Sequence, residues 1–132
     1  MKLILLALML IVNMPANSQT LNDIDVLEKR NQECLDEGLQ MLKCMSDYYN
    51  QMDSMLNVAY KACKKRLSTS QMKILKDEQI AWLKKRDIYF KKLRSDIIKS
   101  EHHVSELQRL EMFLEMNNFI EERVRALIGK LK

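Results

Sequence analysis

Two short strings of acid, amide, phenol and guanidinium side chains hold most of the chemistry available to this chain. The first is Asp53-x-x-Leu56-Asn57-x-x-Tyr60 and the second is Gln79-x-x-Trp82-x-x-x-Arg86-Asp87. Such groups can either bind a polar ligand or satisfy one another. Their spacing favours the second use. Asp53, Asn57 and Tyr60 follow i, i+4, i+7, and Gln79, Trp82 and Arg86 follow i, i+3, i+7, so each set shares one face of a helix. The residue numbers of Asp53 with Arg86, Asn57 with Trp82 and Tyr60 with Gln79 each total 139, so two antiparallel helices joined near residue 69 would set them opposite one another. Asp53 would receive the Arg86 guanidinium in a geometry that permits two parallel hydrogen bonds. Asn57 would accept from the Trp82 indole N–H, and Tyr60 would exchange a hydrogen bond with Gln79. A ladder of this kind is an interhelix polar seam, which sets register and leaves little for a ligand. If the Asp53–Arg86 pair is buried, breaking it would cost about 3–5 kcal/mol. Asp87 points about 100° away from Arg86 and would cap or pair with another element.

Other reactive residue types do not assemble into a site. Glu101-His102-His103-x-x-Glu106 has metal-ligand chemistry, with His102 and Glu106 one turn apart, but lacks the two-His-around-Glu order of zinc proteases and reads as an exposed helical turn. No nucleophile–base pair, glycine-rich phosphate loop or paired-carboxylate signal stands out. The expectation is therefore no catalytic residue, no metal and no cofactor. Three cysteines leave one over. In one unbroken helix Cys34 and Cys44 would lie about 15 Å apart, whereas a disulfide needs Cα atoms within about 7 Å. They can pair only if the chain turns between them, which Gly38 permits. Two free thiols are the alternative, and an oxidising compartment favours the bond. Cys63 lies in an apolar stripe and reads as a small buried side chain, with an intermolecular bond as its alternative.

The elements that must position these groups are long helices. Glycine is found twice and proline once in 132 residues, which leaves few turns. Asn22 or Asp23 can cap a short first helix with Ile24, Leu27 and Asn31 on its inner face, and Gly38 interrupts it. A second helix runs from about Leu39 to Leu67 on the stripe Met41, Met45, Tyr49, Met52, Leu56, Ala59, Cys63 and Leu67. Ser68 and Gln71 form a capping-box pattern for a third, whose stripe is Met72, Leu75, Gln79, Trp82, Leu83, Arg86, Tyr89, Phe90, Leu93 and Ile97. Ser100 with Glu101 would start a fourth, carrying Val104, Leu107, Leu110, Phe113, Leu114, Asn117, Ile120, Val124 and Leu127, with Gly129 as its stop. Short joints imply an all-α, antiparallel up-down-up bundle of three long helices with a short N-terminal helix clipped on.

The N-terminus reads as a processing signal. Lys2 is followed by an apolar run, Leu3 to Val12, and by Ala16-Asn17-Ser18 before Gln19. The run falls short of the roughly 20 residues a membrane span needs. Residues 1–18 would be a signal peptide and 19–132 one exported domain, periplasmic or secreted and bacterial. Charge is segregated: residues 19–60 are net −5, 61–94 net +9 and 95–132 net −1. The basic middle could attract polyanions, or the helices could neutralise one another's exposed charges. Export argues against nucleic acid as a partner.

Cys34, nine residues, Cys44, then the two strings with Leu67 between them, together resemble the LprI-type lysozyme-inhibitor family, and Glu122-Arg123-x-x-x-Leu127 resembles its closing helix. The resemblance implies a helical, disulfide-stapled protein of the bacterial envelope and, for some members, inhibition of a lysozyme. Many relatives place one cysteine shortly after the Arg-Asp pair and another in the last helix. Here those regions read Ile88-Tyr89-Phe90 and Phe113-Leu114-Glu115, so a second staple is missing. The expected function is binding a lysozyme-type glycosidase. The alternative is a non-inhibitory envelope module whose basic face meets anionic polymers or lipids.

Overall fold

The computed structural model describes residues 21–100 and 103–132. The proposed signal segment 1–18 and the Glu101-His102 part of the histidine cluster lie outside them. Four helices, α1 (Leu21–Asp36), α2 (Met41–Arg66), α3 (Thr69–Ser100) and α4 (Glu106–Gly129), make up nearly all of the described chain, which contains no strand.

The turn between α1 and α2 is built on two left-handed residues. Gly38 has φ 67° and Gln40 has φ 53°, and the Gly38 amide closes the end of α1 on the Leu35 carbonyl at 2.9 Å. Glycine adopts this backbone without steric cost, and Gln40 adopts it as the lead-in to the next helix. The reversal brings the Cα atoms of Cys34 and Cys44 to 5.9 Å, and the two are disulfide-bonded. Asn22 and Asp23 already lie inside α1, which is helical from Leu21.

At the α2–α3 joint the capping box forms. Ser68 Oγ accepts from the Gln71 amide at 3.3 Å and Gln71 Oε1 accepts from the Ser68 amide at 2.9 Å. The start of the last helix differs from the expectation at Ser100. α3 continues to Ser100, and α4 instead begins after Ser105, whose capping box with Gln108 supplies both terminal hydrogen bonds. Ser105-Glu106-Leu107-Gln108 has the same serine-to-glutamine spacing as the Ser68 cap and satisfies the orphan amides that any helix start must satisfy. Leu107 and Leu114, expected in the stripe, stand exposed.

The core is organised around α2 and α4. Met52, Leu56, Ala59 and Cys63 of α2 are buried with Ile120, Val124 and Leu127 of α4. Small residues at 59 and 63 leave room for this approach, and the Cys63 thiol donates to the Leu127 carbonyl at 3.4 Å. Burial raises the thiol's pKa, which keeps it protonated and unreactive. Asn117 donates to the Met45 carbonyl at 3.1 Å, and Tyr48 donates to Glu121 at 2.6 Å. Residue numbers in these contacts rise together along the two helices. Ile24 anchors α1 at full burial. At the surface, Arg125 joins Asp25 of α1 at 3.0 Å to Glu121 at 2.8 Å.

Two predictions come from this arrangement. The disulfide closes a loop ten residues long, so replacing both cysteines (Cys34→Ser, Cys44→Ser) should cost about 2–3 kcal/mol by the chain-entropy relation. Urea unfolding with and without reductant measures it, and coincident curves would refute the staple's role. Tyr48 is the second. Burial, then its hydrogen bond to Glu121, holds its pKa far above the ordinary tyrosine value. A group raised in the folded state stabilises fully below its unfolded pKa, and that contribution is lost as pH rises from about 10 toward the folded value. Urea midpoints should therefore fall above about pH 10. Tyr48→Phe should cost about 1 kcal/mol near neutrality and make the alkaline fall shallower. An equally steep fall in the variant would assign it to other groups.

Candidate functional site

α2 turns Asp53, Leu56, Asn57 and Tyr60 toward α3, and α3 turns Lys76, Gln79, Ile80, Leu83 and Arg86 toward α2. The two strings do face one another, but across a cleft of about 410 Å³ that they line. The helices approach far less closely here than α2 and α4 do. They meet through Tyr49 and Phe90, whose ring centroids are 6.3 Å apart and whose residue numbers also total 139. The register of the antiparallel pair is thus realised while the spacing is wider than a hydrogen-bonded seam requires.

Each expected pairing is replaced. Arg86 binds Asp87, with Nε and Nη2 donating to one carboxylate oxygen at 3.0 and 2.8 Å. Asp53 forms no ion pair among the described residues. A guanidinium on a long stem reaches a neighbouring exposed carboxylate at lower desolvation cost than one across a gap. Asp87 therefore pairs with Arg86 itself and not with another element. Asn57 donates to the Asp53 carbonyl of its own helix at 3.1 Å. Trp82 turns to α4 and stacks on Phe119 at 5.5 Å with an interplanar angle of 23°. Gln79 is buried and accepts from Arg123 Nε at 2.8 Å. Tyr60 has no hydrogen-bond partner among the described residues.

α4 draws the inner face of α3 away from α2. Phe119 meets Trp82, Tyr89 and Phe90, the last edge-on at 5.9 Å. Tyr89 also donates to Glu115 at 2.6 Å, a bond that raises its pKa more than burial does. Two guanidinium groups flank the Trp82 ring, Arg86 at 5.8 Å and Arg123 at 6.0 Å from its centroid, within cation–π range. Arg123 Nη2 is buried without a hydrogen bond, with the Glu78 carboxylate at 3.9 Å. The sequence reading did not place Lys76, Arg123 or Phe119 at this site. Lys76 could have been found, one turn before Gln79 on the same face. Arg123 and Phe119 could not, because a local pattern does not reveal which helix α3 packs against.

The cleft is therefore lined by the aliphatic Leu56 and Leu83, with the side chains of Asp53, Tyr60 and Lys76 making no hydrogen bond or ion pair among the described residues. It offers hydrogen bonds of both senses and charges of both signs. Burial, then the Asp53 charge, pushes up the pKa of nearby Tyr49. No group of three or more His, Cys, Asp or Glu side chains placed to hold a metal is found among the described residues. His103 is exposed.

A model of the family described as "Lysozyme inhibitor LprI" matches residues 29–127. No curated protein and no solved structure matches the chain.

The rearranged pairing gives the two arginines opposite weights. Arg86→Ala removes a partly exposed pair and should cost about 1 kcal/mol or less. Arg123→Ala strands buried Gln79 and opens the Trp82 stack, and should cost about 2–3 kcal/mol. Thermal or urea melts rank the two, and the reverse order would restore the Asp53–Arg86 seam as the main polar link.

Proposed function

We propose that this chain, which belongs to the LprI lysozyme-inhibitor family, is an exported bacterial envelope protein that binds a lysozyme-type glycosidase and occludes its cleft. The observation that carries the proposal is the family match over residues 29–127, which takes in the disulfide, both polar strings and most of α4. In this reading residues 1–18 are removed on export and 19–132 act as one up-down-up helical domain. No helix of the described chain is long and apolar enough to cross a membrane.

Charge supports one face over another. Common animal lysozymes are basic, and the domain's excess of positive charge gives no long-range attraction to them. The segment 19–60 is net −5, and the end of α1 with the turn after it exposes Glu33, Asp36 and Glu37. This acidic end is the surface complementary to a basic enzyme, held in place by the Cys34–Cys44 bond. The role is binding, so it calls for no catalytic residue, metal or cofactor.

A second reading is favoured by the other end of the charge distribution. Segment 61–94 is net +9, and α3 exposes Lys73, Lys84, Lys85 and Lys91 without ion pairs among the described residues. That face would hold anionic envelope polymers or lipids, and binding through it would weaken steeply with salt.

A turnover assay with several lysozyme types tests the first reading. The purified protein should inhibit at least one at micromolar concentration, and reversing Glu33, Asp36 and Glu37 to lysine should weaken inhibition about tenfold or more. No inhibition of any lysozyme, alongside salt-sensitive retention on anionic envelope material, would transfer the function to the basic face.

A further inference from the structure

At the end of the bundle where α2 begins and α3 finishes lies a second concavity, a groove of about 490 Å³. Its walls are Leu42 of α2, Ile97 and Ile98 of α3, and Met112 and Phe113 of α4. It is of a size that takes small ligands. Ile98, in this wall, is 69% exposed. Apolar side chains gathered around a concavity mark a binding surface more often than scattered ones do.

The charged residues lining the groove are all cations: Lys43, Arg94 and Arg109. Lys43 is already held by Asp47 one turn along α2. The guanidinium groups of Arg94 and Arg109 make no ion pair or hydrogen bond among the described residues. An aliphatic trough with two uncommitted guanidinium groups at its edge is complementary to a molecule with an apolar tail and an anionic head. A second copy of this surface would bring arginine against arginine, which is unfavourable. The concave shape also suits an inserted chain better than a flat bilayer face.

We propose that this groove binds a single-chain anionic amphiphile, with its acyl chain along Leu42, Ile97, Met112 and Phe113 and its carboxylate or phosphate met by Arg94 and Arg109. The site lies apart from the polar cleft between α2 and α3, and it does not depend on the lysozyme reading. Guanidinium groups suit such a head because their planar donors match the oxygens of carboxylate and phosphate. Each methylene buried should strengthen binding about fourfold, the factor expected from the transfer of one CH₂ from water.

The test is displacement of a fluorescent fatty acid from the purified protein, with competitors kept monomeric. Dodecanoate and dodecyl phosphate should both compete with one-to-one stoichiometry, and octanoate should be weaker by about two orders of magnitude. Dodecyltrimethylammonium, with the same tail and opposite charge, should be at least tenfold weaker than dodecanoate. Arg94→Gln with Arg109→Gln should reduce dodecanoate binding about tenfold and leave the helical circular dichroism unchanged, because both side chains are exposed. Ile98→Asp should abolish binding. Equal affinity for the anionic and cationic amphiphiles would overturn the proposal, as would binding only to anionic phospholipid vesicles. Failure to bind dodecanoate, together with a dimer that Ile98→Asp dissociates, would assign the groove to self-association instead and overturn it too.

Discussion

The close packing of α2 against α4 is the constraint on which the rest of the molecule depends. Ala59, Cys63, Val124 and Leu127 are wholly buried, and the Cys63 thiol reaches a backbone carbonyl of α4. Once α4 occupies the apolar stripe of α2, α3 cannot lie in the same place. It packs instead through Trp82, Tyr89 and Phe90 on Phe119, and through Gln79 on Arg123. The cleft between α2 and α3 and the groove at the end of α3 follow from that displacement, because α3 is shared between two neighbours and seals against neither along its full length. Its 32 residues span about 48 Å, against about 36 Å for the 24 of α4, so part of its apolar face has no partner.

What could be read from the chain was what local rules govern. The three-and-four spacing from Met45 to Cys63 identifies α2 because burial of one stripe is decided within the helix itself. Gly38 marks the reversal because a left-handed residue is needed to bring Cys34 back to Cys44. The Ser68–Gln71 cap is likewise contained within four residues. The Ser105–Gln108 cap was as local and as visible, but Ser100 with Glu101 competed for the same role. There the deciding factor was the continuation of α3, which the sequence pattern alone does not measure.

The polar strings separate register from contact. Antiparallel helices joined by a short turn must place residues of constant summed number at the same height, and Tyr49 opposite Phe90 obeys this. Equal height does not mean touching distance. The pairing of Asp53 with Arg86 assumed a two-helix problem, whereas Arg86 had a cheaper partner beside it in Asp87 and an aromatic surface in Trp82. A desolvated ion pair forms only where the surrounding packing forces the charges together, and α2 and α3 supply no such packing. A polar link that does cross from α3 to α4, Gln79 to Arg123, lies beside the Trp82 ring, where both side chains are largely buried.

This has a consequence for where function can reside. A fully paired seam would have spent its hydrogen-bonding capacity on the fold, leaving only the outer surfaces to recognise anything. Because Gln79 and Trp82 are committed to α4 while Asp53 and Tyr60 line open space, the two strings divide into a half that holds α3 in place and a half that remains available. The acidic end is fixed by a different device, the disulfide and the buried Ile24. Recognition of a basic protein through α1 and occupation of either cleft beside α3 are therefore structurally separable. A substitution that loosens α3 need not disturb the acidic face, since α1 is secured to α2 and α4 without it.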